Sequence, residues 1–293
     1  MSERLVITGA GGLVGRTLAA EGRRRGFEVL ALSSAECDIT DPAAPERHFG
    51  PGDVVVNCAA YTKVDDAEAD EAGARAVNAA GAENVAHACA RAGAELVHVS
   101  TDYVFSGDFG GAPPRPYEIG DETGPRSVYG RTKLEGEFEV LSAMPNAHVV
   151  RTAWIYAGTE GGSDFVSGMR KLAAGEGTVD VVADQIGSPT YVGDLVGALL
   201  QVVGGSIEES VLHAANQGAV SRFDQARAVF ELVGADPERV RPVGTDRHPR
   251  PAPRPTYSAL GSEQSAAAGL SPLRPWRDAL AAALSDGALP STP

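Results

Sequence analysis

Two hydrophobic periods alternate along the first half of the chain. Short apolar runs stand at 4–9 (RLVITG), 27–32 (FEVLAL), 53–60 (DVVVNCAA), 95–100 (ELVHVS) and 148–154 (HVVRTAW). Their valine-rich character is that of parallel strands covered on both faces. Between them, apolar residues recur three and four apart at 13–26, 71–93 and 128–144, which predicts helices. The first ends near Gly26, and the second is closed by a glycine C-cap. Strands alternating with helices of this length imply a parallel sheet with right-handed crossovers.

The second half is less regular. Helices are expected at about 164–174, 191–203 and 222–233, strands at about 179–183 and 211–216, and an amphipathic helix near 276–284. The segment DRHPRPAPRPT (246–256) is too rich in proline for regular helix. The expected architecture is α/β: a Rossmann-type doubly wound parallel sheet with a smaller α/β C-terminal substrate lobe. Residues 1–153 form the dinucleotide-binding part, to which later segments return, and 154–293 mainly the lobe. Such a lobe lies over the carboxyl edge of the sheet, where ligands bind in this architecture.

Composition narrows the partners. A net charge of −14 disfavours nucleic acid and anionic membranes, both of which are negative surfaces. An anionic small substrate then needs a local basic patch. The three cysteines, Cys37, Cys58 and Cys89, are widely spaced and form no C-x-x-C pair, so buried free thiols in a reducing cytoplasm are expected. The opening MSERLVITGAGG enters a strand without the features of a signal peptide, and no run approaches the roughly 18 apolar residues of a membrane span.

The loop VITGAGGLVG joins the first strand to the first helix with spacing Gly9-x-x-Gly12-x-x-Gly15. Glycines there permit a tight turn and let backbone amides approach a pyrophosphate at the helix N-terminus; a purely structural turn is the alternative. The second strand ends in Ser33 and Ser34, with no carboxylate at that point to pair with the ribose of NAD. That leans toward NADPH, or toward use of both cofactors. Asp38 and Ile39 either bracket an adenine edge or cap the segment that follows.

At the end of the fourth strand, HVSTDYVF brings Ser100, Thr101 and Asp102 to the place where a nicotinamide would lie. A hydroxyl there can hydrogen-bond a substrate carbonyl as negative charge develops on its oxygen. In SVYGRTKLEGE (127–137), Tyr129 begins a helix and Lys133 follows one turn later on the same face. The chain has only three lysines, Lys63, Lys133 and Lys171, against 22 arginines. A tyrosine with an ordinary pKa of about 10 is a poor proton shuttle at neutral pH. A neighbouring ammonium lowers that pKa, and it can also hold ribose hydroxyls in a way that an arginine's planar fork does not.

Glycine loop, strand-end Ser/Thr and Tyr-x-x-x-Lys together resemble the extended short-chain dehydrogenase/reductase superfamily. Within it, NCAAYTKVDDAE (57–68), STDYVFSG (100–107), SVYGRTKLEGE (127–137), RTAWIYAG (151–158) and DQIGSPTYVGDL (184–195) are similar to the dTDP-4-dehydrorhamnose reductase family. The resemblance implies NAD(P)H-dependent reduction of the C4 ketone of a dTDP-4-dehydro-6-deoxyhexose, with NADPH favoured and NADH open. Tyr129 would be the proton donor, Lys133 its partner and Thr101 the carbonyl hydrogen-bonder. Gly9, Gly12, Leu13, Val14, Gly15, Ser33, Asp38, Ile39, Ala60, Tyr61, Thr62 and Val99 would line the dinucleotide, with Tyr129 and Lys133. Thr101, Asp102 and Trp154 would meet the sugar.

Arg247, Arg250 and Arg254 are candidates for a diphosphate patch, Arg254 foremost. Some members of the family pair subunits through metal-bound carboxylates. Thr17 and Gly193 stand at the corresponding places and cannot ligate a cation as carboxylates do, so no metal site and a monomer or weak homodimer are expected. Two other readings stay open: a non-catalytic, NADP-binding regulatory subunit, and a reductase of another nucleotide 4-keto-sugar.

Overall fold

The computed structural model describes residues 4–205 and 207–285. Six strands form one parallel sheet: β1 (Arg4–Thr8), β2 (Glu28–Leu32), β3 (Val54–Asn57), β4 (Glu95–Thr101), β5 (His148–Thr152) and β6 (Val211–His213). Their order is β6-β5-β4-β3-β1-β2, so the chain reverses its direction of travel between β1 and β3. A ligand crevice opens at such a switch point.

Side-chain alternation along the strands fills both faces. Leu5 and Ile7 of β1, with Val54 and Val56 of β3, pack under α1 (Leu13–Arg24). Val6 and Val55 point the other way and pack under α2 (Gly81–Ala92) and α3 (Val128–Ala143). The buried stripe of α1 is Gly15, Leu18, Ala19 and Gly22, spaced by three and four. Gly22 lets the helix lie close: a Cβ there would stand 2.9 Å from Leu5 Cδ2.

The element boundaries read from the sequence hold for these strands and helices, with strands β3, β5 and β6 a few residues shorter than expected. The segment 71–93 departs more. It forms an α-helical turn (Glu71–Arg75), a π-helical turn (Ala76–Ala80) and then α2, which Gly93 closes in a left-handed conformation at φ +71°. The π turn turns Asn78 into the interior, where it holds the loop after β3.

Beyond β5, α4 (Phe165–Ala173), α5 (Val192–Val203), α6 (Arg222–Leu232) and α7 (Trp276–Ser285) are joined by four short strand pairs. The parallel pair Val179–Val182 with Val240–Val243 and the antiparallel pair Ile186–Gly187 with Val220–Ser221 lie among them. α5 returns to the main sheet: its Leu195 and Leu199 join the core of β1 and β3. Residues after 153 therefore supply both a strand and a covering helix to the dinucleotide-type sheet.

Candidate functional site

The glycine turn is sterically required. Gly9 takes φ +68°, and a Cβ on it would stand 2.5 Å from the Ala59 amide nitrogen. A Cβ on Gly15 would stand 2.5 Å from the Gly9 carbonyl oxygen. Only glycine fits either place. The Gly12 amide donates to the Gly9 carbonyl at 3.0 Å, and no side chain caps the helix that starts there.

A cavity of about 420 Å³ opens at this turn, a volume in the range of small-molecule and cofactor sites. Gly9, Gly12, Ser33, Asp38, Ile39, Ala60, Tyr61 and Thr62 all line it. Leu13, Val14 and Gly15 form the first turn of α1, directly after the lining residues in the chain. Val99 lies on β4 outside that lining. The π turn fixes the cavity's far wall. Asn78 Oδ1 accepts from the Tyr61 amide at 2.8 Å, and its Nδ2 donates to Thr132 Oγ1 at 3.1 Å. A Cβ on Gly136 would stand 2.0 Å from the Asn78 carbonyl, so α3 can lie against the π turn only with glycine there. Small residues, bare amides and hydroxyls around a slot of this size fit a dinucleotide.

Two details differ from expectation. The fold brings a carboxylate to the end of β2: Glu36 turns back so that its Oε2 accepts from the Ser33 amide at 2.8 Å and from Ser33 Oγ at 2.7 Å. Asp38 closes a turn, its Oδ1 accepting from the Thr40 amide at 3.0 Å and from Thr40 Oγ1 at 2.8 Å, which holds its pKa below the ordinary value. Its side chain thus closes a local turn and caps no helix, since the helix Ala43–Glu46 that follows has no side-chain cap, and the residue lines the cavity.

At the carboxyl end of β4 the catalytic candidates converge. Ser127 caps α3 by accepting from the Gly130 amide at 3.1 Å, which sets Tyr129 in the first turn. Burial raises the Tyr129 phenol well above the ordinary tyrosine value, and a hydrogen bond with the Thr101 side chain works in the opposite direction. Thr101 Oγ1 also donates to Asp102 Oδ1 at 3.1 Å and accepts from the Tyr103 amide at 3.2 Å. Asp102 is buried, with Ser258 Oγ donating to its Oδ2 at 2.5 Å, and burial pushes its pKa up to about 6.

Lys133 is buried against β4 rather than aimed at the phenol. Its Nζ donates to the Val99 carbonyl at 2.8 Å and lies 3.1 Å from His98 Nε2. Burial lowers its pKa to about 8. The expected lowering of the tyrosine by the lysine is therefore corrected: the phenol's pKa is raised overall by burial, the Thr101 hydrogen bond only opposes that rise, and the lysine's hydrogen bonds go to the strand. One turn further along α3, Glu137 takes bonds of 3.0, 3.2 and 2.7 Å from buried Arg151, and the Ser100 hydroxyl also donates to it.

The substrate candidates lie where the later segments meet the sheet. Trp154 has φ +45°, which is rare for a bulky residue and is a position where backbone strain is held by its surroundings. A Cβ on Gly187 would stand 2.5 Å from its indole. The Arg222 guanidinium lies 3.5 Å from the centre of the Trp154 ring. Arg222 is the functional candidate that the sequence reading missed. It sits in the first turn of α6 with no motif around it, and only the packing of α6 brings it to Trp154, Asp102 and Tyr103. Burial lowers its pKa to about 10.

The three arginines divide between two places. Arg254 pairs with Asp65 through both carboxylate oxygens, and Arg250 Nε donates to the same carboxylate at 2.9 Å. Asp65, with its pKa lowered to about 2 chiefly by Arg254, thus offsets much of their charge and ties the proline-rich strip to the helix Val64–Ala67. Arg247 lies apart in the turn Thr245–Arg247, which is held to Asp184. Among the described residues no three His, Cys, Asp or Glu side chains gather as a metal site. Thr17 Oγ1 instead donates to the Leu13 carbonyl at 2.9 Å.

A switch-point cavity walled by a glycine turn, beside a Thr–Tyr–Lys cluster at the end of the neighbouring strand, places the chain among the dinucleotide-dependent oxidoreductases of the extended short-chain type. A family profile described as the RmlD substrate binding domain matches residues 3–288, and the chain belongs to that family. Over 302 aligned residues it is 62% identical to the dTDP-4-dehydrorhamnose reductase of Mycolicibacterium smegmatis, covering 100% of this chain and 90% of that protein. The protein of the same description from Mycobacterium tuberculosis is 63% identical, with 99% of this chain and 98% of that one covered. The solved dTDP-4-dehydrorhamnose reductase of Bacillus anthracis, in complex with NADP, superposes with a TM-score of 0.88 at 34% identity, covering 98% of this chain and 100% of that one.

Proposed function

We propose that this chain reduces the C4 ketone of dTDP-4-dehydro-6-deoxy-L-mannose (dTDP-4-dehydro-L-rhamnose) to dTDP-L-rhamnose, the last step of dTDP-rhamnose synthesis, using NADPH or NADH. One observation carries this reading: the Tyr129 phenol meets Thr101 at the end of β4 in a chain more than 60% identical, end to end, to reductases of that description. A purely binding subunit has no use for that phenol.

When bound, the reduced nicotinamide supplies the hydride that goes to C4. Tyr129 gives its proton to the carbonyl oxygen as the alkoxide develops, and the Thr101 hydroxyl turns from Asp102 to donate to the same oxygen. Lys133 holds the cofactor's ribose side. Trp154 and Asp102 border the deoxyhexose, and Arg222 with Arg254 supplies cationic charge for the diphosphate. Residues 1–153 with α5 and β6 make the dinucleotide part, and the rest of 154–293 makes the sugar-nucleotide part. The enzyme works in the cytoplasm as a monomer or weak homodimer. No helix among the described residues is long and apolar enough to cross a membrane.

The test is NADPH oxidation with dTDP-4-dehydro-L-rhamnose by wild type and Tyr129→Phe. Turnover by the wild type that collapses in the variant, with NADPH binding retained, supports the reading. NADPH binding without turnover by the wild type refutes it, and equal rates remove Tyr129 from the chemistry.

A further inference from the structure

Lys133 ends a chain of buried hydrogen bonds whose direction can be read from its far end. The Ala59 amide donates to Asn57 Oδ1 at 3.1 Å, and Thr8 Oγ1 donates to the same oxygen at 2.7 Å. A backbone N–H is only a donor, so the oxygen of the Asn57 amide must face Ala59 and its NH₂ must face the other way. That NH₂ lies 3.1 Å from His98 Nδ1, which is therefore an acceptor. A neutral imidazole with an accepting Nδ1 carries its proton on Nε2. His98 is buried and held neutral by burial, its pKa well below the ordinary histidine value. Its Nε2–H then points along the 3.1 Å contact to Lys133 Nζ.

We propose that His98 is a positioning residue that presents an N–H to Lys133, so that the network is fully satisfied only when the lysine is a neutral amine accepting from His98 and donating to the Val99 carbonyl. An ammonium has no lone pair to accept with, and it would set N–H against N–H. Turning the imidazole's proton to Nδ1 does not relieve this, because Nδ1–H would then oppose the Asn57 NH₂. The relay thus works against the ammonium. The other titratable groups facing Lys133 are Glu137 on its own helix and Cys58 after β3, both of which favour the charged lysine. Arg151 offsets Glu137, and burial keeps the Cys58 thiol protonated, its pKa pushed up to about 12. His98 and burial therefore act together to bring the lysine's titration into the working range. The consequence for turnover rests on the reductase reading of Lys133: the lysine can change charge while the enzyme works, which an ordinary lysine cannot do at neutral pH.

The 293-residue chain allows a direct test, because Lys63 and Lys171 are exposed and Lys133 is its one other lysine. Lysine labelled with ¹³C at Cε gives three signals to titrate, and two-bond ¹H–¹⁵N spectra of histidine report the His98 tautomer. The expected result for the wild type is an Nε2–H tautomer and a Lys133 midpoint at about 8. An Nδ1–H or doubly protonated ring, or a midpoint near the ordinary value of about 10.4, overturns the proposal. Asn57→Asp keeps the shape but replaces the donor by an acceptor. It should switch His98 to Nδ1–H and raise the Lys133 midpoint by about one unit or more. A folded variant with unchanged tautomer overturns the proposal as well, and the wild-type spectra decide the matter if the variant does not fold. Both readouts need neither substrate nor cofactor, so their failure is separable from failure of the reductase assay.

Discussion

Glu137→Ala isolates the largest buried electrostatic contact near the site. The Glu137 and Arg151 side chains are 3% and 7% exposed, and the guanidinium makes three bonds to the carboxylate. Removing the carboxylate leaves a buried cation with little else to hold it. Arg151 Nη1 already has no hydrogen-bond partner among the described residues, and the Phe105 ring centre at 5.2 Å offers only a weak cation–π contact. Ser100 loses its acceptor too. Breaking one side of a buried pair costs about 3–5 kcal/mol. At roughly 2–4 °C per kcal/mol for large domains, Tm should fall by about 10 °C. Joint replacement by apolar residues of similar size, Glu137→Leu with Arg151→Met, removes both charges and should return to within about 1 kcal/mol of wild type. Urea denaturation of the three proteins at pH 7.5 measures this. A loss below about 1 kcal/mol in the single variant, the size of an exposed ion pair, refutes the reasoning. So does a double variant no more stable than the single one.

Other consequences follow from the same geometry. Asp102 has a folded pKa of about 6 against about 3.9 unfolded, so its contribution is fully present below pH 4 and is lost as pH rises through 6. Asp102→Asn should therefore gain up to about 3 kcal/mol at pH 7.5 and nothing at pH 4, and equal gains at both values would count against a buried, neutral-preferring carboxyl. Glu36→Gln removes the negative charge on Ser33 and should raise the ratio of kcat/KM for NADPH to that for NADH by a few-fold; an unchanged ratio means that Glu36 lies outside the ribose subsite. Arg254→Ala should raise KM for the sugar nucleotide while NADPH affinity stays the same, and an unchanged KM would remove Arg254 from the diphosphate site.

The parts of the site legible in the sequence are those that depend on neighbours in the chain. Gly9, Gly12 and Gly15 follow a strand and open a helix, so their spacing alone marks a close-approach turn. Tyr129 and Lys133 are one turn apart on a helix capped by Ser127, and their shared face follows from helical period. The π turn at Ala76–Ala80 was not legible, because 71–93 carries a continuous helical period; the extra residue shows only where Asn78 meets Tyr61 and Thr132. Nor was Arg222, one of 22 arginines, distinguishable before α6 was packed against Trp154.

By itself the sequence determined the alternation of strand and helix, the phosphate-type turn and the residue types of a reductase, since each is a local pattern of period, conformation or spacing. Tertiary structure decided what those residues touch. It committed Lys133 to His98, 35 residues away, where a phenol had been expected as its partner. It set Arg254 on Asp65 across 189 residues, turning a supposed free cation into one arm of a salt bridge. It also brought Glu36 back onto Ser33, which lines the cavity at the end of β2. Charge and hydrogen-bond direction at a buried group depend on everything packed around it, and that environment comes from strands and helices far apart in the chain.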